Sequence, residues 1–214
     1  MIKLVVGVRA KDGVGREELR QHWCDVHAPN VVAGVNPKRY VLTFFDERLD
    51  GGPAPYDGTA SLWFNSLEQY QEAQSQRSEA AADGFGDLLV PDDTFVLFTT
   101  EIVALDGEVT SQSVKATFFV QRLPDVAEAD YFQHWREKHL PNVRAALQRN
   151  PGGLRYVVSQ ADQGQPGPWS GLAELYWQDA DAERAGLPGV TDDGFGGMSE
   201  PYFGIRGREV VIVG

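Results

Sequence analysis

Short runs of apolar and β-branched residues alternate with polar, helix-forming stretches along the whole chain. Runs of four to eight such residues between turn residues are typical of β-strands, and longer stretches with helical periodicity are typical of helices. In the first half, this pattern predicts the order β-α-β-β-α-β. The predicted strands are residues 2–9, 40–45, 59–64 and 94–103, and the helices are 16 to about 28, ended by Pro29, and 66 to about 82.

The second half repeats this order. Strands are predicted at 115–121, 154–159, 171–177 and 205–213, and the first helix at 127–148. The second helix is predicted to be short because the segment Gly-Leu-Pro-Gly at 186–189 interrupts it. Each β-α-β-β-α-β unit is expected to form an antiparallel sheet with both helices on one face, the ferredoxin-like arrangement. Val41, Thr43 and Phe45 are expected on the bare face.

A motif in the first predicted helix occurs twice. The segments 22–31 and 134–143 share the pattern H-W-x-x-x-H-x-P-N-V at constant spacing. The triplet R-Y-V recurs at 39–41 and 155–157, and D-G-F-G recurs at 83–86 and 193–196. Repetition in the same order along the chain indicates an internal duplication.

The duplication predicts an α+β protein with two domains, at residues 1–105 and 114–214, and a linker at 104–114. Two sheets that each have one bare apolar face can bury those faces against each other. We therefore expect two tandem ferredoxin-like units that form one two-sheet barrel within a single chain.

The formal net charge of −12 narrows the choice of partners. Phosphate backbones and anionic membranes both require a basic surface, so neither is an expected partner. No stretch approaches the roughly 20 apolar residues of a membrane span, and the N-terminus has the pattern of a strand rather than a signal peptide. The single cysteine, Cys24, allows no intrachain disulfide. A cytoplasmic protein with a small-molecule substrate is expected, as a monomeric pseudo-dimer or a homodimer.

The motif H-W-x-x-x-H-x-P resembles that of the EthD family, within the dimeric α/β-barrel superfamily. The resemblance covers nearly the whole chain, once per half, and implies an intramolecular dimeric α/β barrel. Better understood relatives are methylmuconolactone isomerases, polyketide cyclases, decarboxylases or dehydratases, and cofactor-free quinone-forming monooxygenases. They imply a pocket between sheet and helices in each half, where side chains act on a small aromatic or lactone compound without a cofactor.

The resemblance also implies roles for individual residues. Lactone isomerases have a histidine at the place that His27 and His139 match. Their partner cysteine falls on the third strand, where this chain has Leu62 and Leu175. That departure argues against the specific isomerase reaction.

Helical geometry separates the two histidines of each motif. At about 100° per residue, Trp23 and His27 lie roughly 40° apart, whereas His22 and His27 lie roughly 140° apart. His27 and His139 are therefore expected to face the sheet, either as general acid–base groups or as structural partners of a backbone carbonyl. His22 and His134 are expected at the helix flank, in solvent or capping contacts. Their i, i+5 spacing from the second histidine does not predict a metal site.

Six further motif residues are candidates for substrate binding. They are Trp23, Trp135, Asn30, Asn142, Tyr40 and Tyr156. Each also has a structural interpretation, since indoles and tyrosines commonly pack in cores and asparagine commonly forms turns. The D-G-F-G segments are interpreted as turns after the second helix of each half.

The leading hypothesis is a cofactor-independent lyase or isomerase that uses His27 and His139 as acid–base groups on a small aromatic, lactone or polyketide-like compound. The alternatives are a non-catalytic small-molecule-binding barrel, a cofactor-free monooxygenase, and a haem or oxygen-handling protein. The interrupted helix of the second half predicts unequal halves, with one open pocket and one vestigial pocket.

Overall fold

The computed structural model describes residues 1–76, 83–162, 164 and 167–214. Its eight strands form one closed antiparallel barrel with the neighbour order β1-β3-β2-β8-β5-β7-β6-β4. The strands are β1 Ile2–Val8, β2 Arg39–Arg48, β3 Gly58–Phe64, β4 Phe95–Asp106, β5 Val114–Val120, β6 Gly153–Ala161, β7 Gly171–Trp177 and β8 Phe203–Val213. The expected α+β barrel is confirmed. In the described part of the chain, no helix is long and apolar enough to cross a membrane.

Each half of the chain contributes four strands, and the two sets meet at two seams. β2 pairs with β8 at one seam, and β4 pairs with β6 at the other. β4 runs to Asp106 because Leu105 and Asp106 pair with Tyr156 and Arg155. The linker between the halves is therefore residues 107–113, shorter than the predicted 104–114.

Within the described residues, six α-helices pack outside the barrel. They are α1 Arg16–His22, α2 Ala28–Val35, α3 Leu67–Gln76, α4 Glu128–His134, α5 Leu140–Arg149 and α6 Ala180–Ala185. One turn of π-helix, Trp23–His27, joins α1 to α2, and a second, Trp135–His139, joins α4 to α5. The remainder of the helix predicted to reach residue 82 lies outside the described residues. α6 is short, as predicted, and ends before Gly186, which has a φ of 66°.

Pro29 does not end the first helix, so that part of the prediction is wrong. The Ala28 amide bonds the Trp23 carbonyl five residues earlier, which continues the helix through a wide turn. Pro29 then occupies the first turn of α2, where a helix does not require an amide donor.

Strand side chains alternate between a helix-covered outer face and the barrel interior. Apolar residues on the outer faces form one cluster with the helices in each half. At one end of the interior, aromatic rings including Phe45, Phe95 and Phe119 pack against one another. Val41, Thr43 and Phe45, expected on the bare face, are buried.

The other end of the interior contains a buried charge cluster. Lys3 and Lys115 are 2% and 3% exposed, and Glu174 bridges them through separate carboxylate oxygens at 2.8 and 2.5 Å. Glu101 lies 3.0 Å from Lys3, and Glu209 lies 2.8 Å from Lys115. Burial raises the pKa of Glu174, but attraction to both lysines outweighs burial and holds the pKa far below its ordinary value. Attraction between the paired groups offsets the free-energy cost of burying their charges in the interior.

Candidate active site

The π-turns bring both histidines of each motif to the same side of the helix, because an i→i+5 turn aligns residues five apart. His134 and His139 both stack on Phe195, with ring centroids 6.3 and 4.1 Å from it. The first-half pair stacks on Phe85 in the same way, at 6.0 and 4.1 Å. The predicted separation of about 140° assumed a regular α-helix and is wrong.

His22 and His134 are partly buried rather than placed at a solvent-facing flank. Nε2 of each is buried and has no hydrogen-bond partner among the described residues. Nε2 of His134 lies 3.8 Å from Oδ1 of Asp193, which is too far for a hydrogen bond. The expected solvent or capping contacts are therefore absent at these nitrogens in the described structure.

A histidine–aspartate pair forms the centre of the second-half site. Nδ1 of His139 lies 3.0 Å from Oδ2 and 3.3 Å from Oδ1 of Asp193. Because an ionised carboxylate only accepts hydrogen bonds, Nδ1 donates its proton, and the neutral ring has its lone pair at Nε2. Across the described residues, no side chain or backbone group hydrogen-bonds to this Nε2. The pair can therefore offer a base to a ligand.

The loop that contains Asp193 holds its carboxylate in place. Gly194 has a φ of 86°, a left-handed conformation that favours glycine. The Phe195 amide donates to Oδ1 at 3.0 Å, and Asn142 donates to Oδ2 at 2.8 Å. Burial raises the pKa of Asp193, but these hydrogen bonds and His139 outweigh it and keep the pKa below its ordinary value. The carboxylate is thus ionised at neutral pH.

The His139 ring is neutral at neutral pH. Burial lowers its pKa below the ordinary 6.5, and Asp193 opposes that shift without reversing it. A neutral imidazole with a free lone pair is the form that can take a proton from a substrate.

A cavity of about 190 Å³ lies between the second-half strands, the second π-turn and helix α5. Two of its wall residues, Trp135 and Tyr156, are fully buried. Neither the indole Nε1 nor the phenol oxygen makes a hydrogen bond of normal length and angle within the described structure. The described wall contains no Lys, Arg, Asp or Glu, and is formed by Phe118, Val120, Trp135, His139, Val143, Tyr156, Ala173, Leu175, Leu187, Val190, Phe195 and Tyr202.

The first half has the same pair beside a smaller cavity of about 130 Å³. Nδ1 of His27 lies 2.9 Å from Oδ2 of Asp83, and Asn30 donates to the same oxygen at 3.1 Å. Trp23 and Tyr40 line this cavity, but here the indole Nε1 donates to the phenol oxygen at 3.4 Å.

Different elements cover the two cavities. In the first half, α3 contributes Tyr70 and Gln74 to the wall, and Gln74 donates to the Tyr70 hydroxyl at 2.8 Å. In the second half, α6 does not reach the cavity, and Leu187, Val190 and Tyr202 take that place. Val190 and Tyr202 are each 44% exposed, so this wall borders solvent.

The structure separates the predicted site residues into two groups. The first group lines the cavities and consists of His27, Trp23 and Tyr40 in the first half and His139, Trp135 and Tyr156 in the second half. Asn30 and Asn142 are not among the wall residues, and they bond the aspartates behind the histidines.

Asp83 and Asp193 are site residues that the sequence interpretation missed. The D-G-F-G segments do form tight turns, since 3₁₀ helices run over Phe85–Leu88 and Phe195–Met198. Their aspartates, however, also orient the histidines. A carboxylate repeated at matching places in both halves was the signal that could have identified them.

The cavities offer no thiol on the third strand of either half. Leu62 and Leu175 line the two walls where lactone isomerases have a cysteine. Cys24 is partly buried, and burial raises the pKa of its thiol. Of the residues described, no three His, Cys, Asp or Glu side chains cluster closely enough to hold a metal ion.

Several solved structures have the same fold at low sequence identity. An anthrone oxidase-like protein matches 98% of this chain and 90% of its own, with a TM-score of 0.62 and 12% identity. A candidate monooxygenase from Lactobacillus acidophilus matches 99% and 95%, with a TM-score of 0.58 and 12% identity. A heme-binding protein from Thermus thermophilus matches 98% and 91%, with a TM-score of 0.54 and 13% identity. Identities this low show a shared fold alone.

Sequence comparison adds one family. No curated protein sequence matches this chain significantly. The EthD domain profile matches residues 11–92, a range that contains the first π-turn and the His27–Asp83 pair. Over residues 11–92, the chain is therefore similar to the EthD domain family.

Proposed function

We propose that this protein is an acid–base enzyme, a lyase or isomerase that moves a proton on a small aromatic, lactone or polyketide-like compound. The observation that carries this proposal is the His139–Asp193 pair on the wall of an apolar cavity. Burial lowers the pKa of His139, so its base form is present at neutral pH.

The pair supports proton transfer at a carbon next to a carbonyl. Nε2 of His139 takes the proton, and the electron pair of the broken C–H bond moves onto the carbonyl oxygen as an enolate. Asp193 holds the required tautomer and stabilises the imidazolium that forms. The proton returns to a different carbon in an isomerase, or to the departing group in a lyase.

The cavity limits the size of the substrate. An apolar cavity of about 150 Å³ is large enough for benzene. The second-half cavity of about 190 Å³ therefore suits one ring with a few substituents.

We infer that both halves are EthD-like ferredoxin-like units, at residues 1–105 and 114–214. The strand orders β4-β1-β3-β2 and β8-β5-β7-β6 are the same in the two sets, which supports this inference. So does the presence of one histidine–aspartate pair in each half. The first-half pair, His27 and Asp83, then serves the smaller cavity in the same acid–base role.

Haem fits this site poorly. A cavity sized for one ring is too small for a porphyrin, and no Lys or Arg among the described wall residues could pair with the propionates. Binding of haem by one structural neighbour is therefore not extended to this chain.

The test is catalysed proton movement on simple probes. We expect the protein to convert α-angelica lactone to its β isomer, and to exchange the α-protons of acetophenone in D₂O, followed by NMR. His139→Gln and Asp193→Asn should lose both activities while circular dichroism and thermal unfolding stay near those of the parent protein. Rates equal to buffer for the parent protein would reject the proposal. Oxygen consumption with phenolic compounds, without proton exchange, would instead assign a monooxygenase.

A further inference from the structure

We propose that Tyr156 and Trp135 form a clamp for one substrate oxygen, and that the clamp selects uncharged ring ketones and lactones. This rests on the acid–base function proposed above and names its substrate class. The expected ligand places its ring against the apolar wall and its carbonyl oxygen between the phenol O–H and the indole N–H.

The clamp is inferred from two buried donors that make no hydrogen bond of normal length and angle within the described residues. Both residues are 0% exposed, and both line the cavity. Buried polar groups nearly always have a partner, and leaving one without a partner costs about 1–3 kcal/mol. Among the described residues, the Trp135 indole has only a poorly aligned contact with the Tyr156 phenol, and neither donor makes a hydrogen bond of normal geometry. A ligand oxygen would satisfy both.

In the first half, the corresponding indole and phenol are hydrogen-bonded to each other. There the Trp23 indole donates to the Tyr40 hydroxyl at 3.4 Å, so this indole proton is already used within the protein. An indole and a phenol at these positions are therefore close enough to contact the same oxygen atom. In the second half, we propose that this is the carbonyl oxygen of a ligand.

The wall chemistry excludes charged ligands. No Lys or Arg stands among the described wall residues, so a carboxylate or phosphate would lose its hydration without gaining a counter-ion. Burial also raises the pKa of Tyr156, so its phenol stays protonated and acts as a donor at neutral pH.

The clamp would also stabilise the negative charge that forms when the base removes a proton. When Nε2 of His139 takes the α-proton, negative charge develops on the carbonyl oxygen. Two fixed neutral donors at that oxygen stabilise the enolate more than the ketone, as an oxyanion hole does. The reverse step returns the proton to carbon and restores the carbonyl.

Equilibrium binding of three probes tests the clamp. Acetophenone and α-methylstyrene have nearly the same shape, but the second has CH₂ in place of the carbonyl oxygen, and benzoate adds a charge. We expect acetophenone to bind about tenfold tighter than α-methylstyrene, the size of one net hydrogen bond, and benzoate to bind at least about tenfold weaker than acetophenone. Tyr156→Phe should reduce the preference for the ketone several-fold, because only the Trp135 indole then remains as a donor, and it should leave the alkene affinity within about twofold.

Two further variants separate the outcomes. Tyr131→Phe removes a buried hydroxyl that lies 3.2 Å from the Ser199 hydroxyl and is not on the cavity wall, so it should keep the ketone preference. His139→Gln should keep the preference and lose proton exchange. The clamp is wrong if the parent protein shows no preference, if Tyr156→Phe retains it in full, or if Tyr131→Phe reduces it equally. A preference that depends on Tyr156, found without any proton exchange, would support the clamp and reject the acid–base function.

Discussion

The two halves of the barrel contain the same histidine–aspartate pair, but they differ in what surrounds it. In the first half, α3 adds Tyr70 and Gln74 to the wall of a cavity of about 130 Å³. In the second half, α6 is only six residues long, and the wall of the cavity of about 190 Å³ has donors that make no hydrogen bond of normal geometry within the described residues. Both halves contain the same histidine and aspartate, but the elements packed over the pair determine how much space each cavity has for a ligand.

A second difference lies in the barrel interior. Lys3 donates to Ser159 from the second half, and Lys115 donates to Thr43 from the first half. Each lysine therefore bonds a hydroxyl of the opposite half, and these two contacts are symmetric. Glu174 breaks this symmetry, because it is the one described side chain that bridges both lysines. The contact between the two lysines therefore runs through one carboxylate from the second half, while Glu101 and Glu209 each pair with a single lysine.

The largest expected effect concerns the two histidines. If the larger cavity is the main active site, His139→Gln should reduce acetophenone proton exchange about 10²- to 10⁴-fold, the usual contribution of a general base. His27→Gln should cost at least about tenfold less, since its cavity is smaller. Initial rates by NMR measure both. A greater loss from His27→Gln would reverse the comparison.

The next effect is on stability. Glu174→Gln should lower the free energy of unfolding by about 1.5–3 kcal/mol, because each buried lysine loses one of its two carboxylate partners and keeps only Glu101 or Glu209. Ser61→Ala, in the matching strand of the first half, should cost no more than about 1 kcal/mol, since that hydroxyl pairs with neither lysine. Urea unfolding compares the two. Equal losses would show that the cluster does not depend on Glu174.

A smaller effect concerns pH. The pKa of His139 lies below 6.5, so exchange rates should rise with pH and level off after an inflection below 6.5. Between the folded pKa and the unfolded value, the unfolded chain binds more protons, so the free energy of unfolding should fall as pH decreases through that interval. Asp193→Asn should lower the pKa further, because Asp193 opposes the shift. NMR titration of the four histidines measures this, with His139→Gln identifying the signal. An inflection above 6.5 would contradict it.

The smallest effect concerns the two asparagines. Asn142 donates to Asp193 and to the Thr191 carbonyl, whereas Asn30 donates to Asp83. Asn142 also accepts from the Thr191 amide at 3.3 Å and from the Thr191 hydroxyl at 3.4 Å. Asn142→Ala should therefore destabilise the fold by about 1–2 kcal/mol and Asn30→Ala by about 0.5–1 kcal/mol, because Asn142 makes more hydrogen bonds. Chemical denaturation measures the difference, and a larger loss for Asn30→Ala would contradict it.

Local sequence signals were sufficient for most elements of the fold. The strand predicted at 171–177 has the observed bounds Gly171–Trp177, and α6 ends where glycine and proline follow it. Strand alternation and helix breakers act over a few residues, so a short segment contains them. The π-turns were not predicted, because an i→i+5 hydrogen bond changes which residues align without changing the residue types.

The sequence by itself determined which chemical groups recur: the histidines, tryptophans and asparagines of the motif, and the strands and helices that contain them. Only the tertiary structure decided their partners. His27 meets Asp83 and His139 meets Asp193 across 56 and 54 residues, and Lys3 meets Glu174 across 171. Periodicity reports which face of its own element a side chain occupies, but closing the barrel determines which distant loop or strand lies against that face. The base, its orienting carboxylate and the charge cluster therefore became visible only in the folded chain.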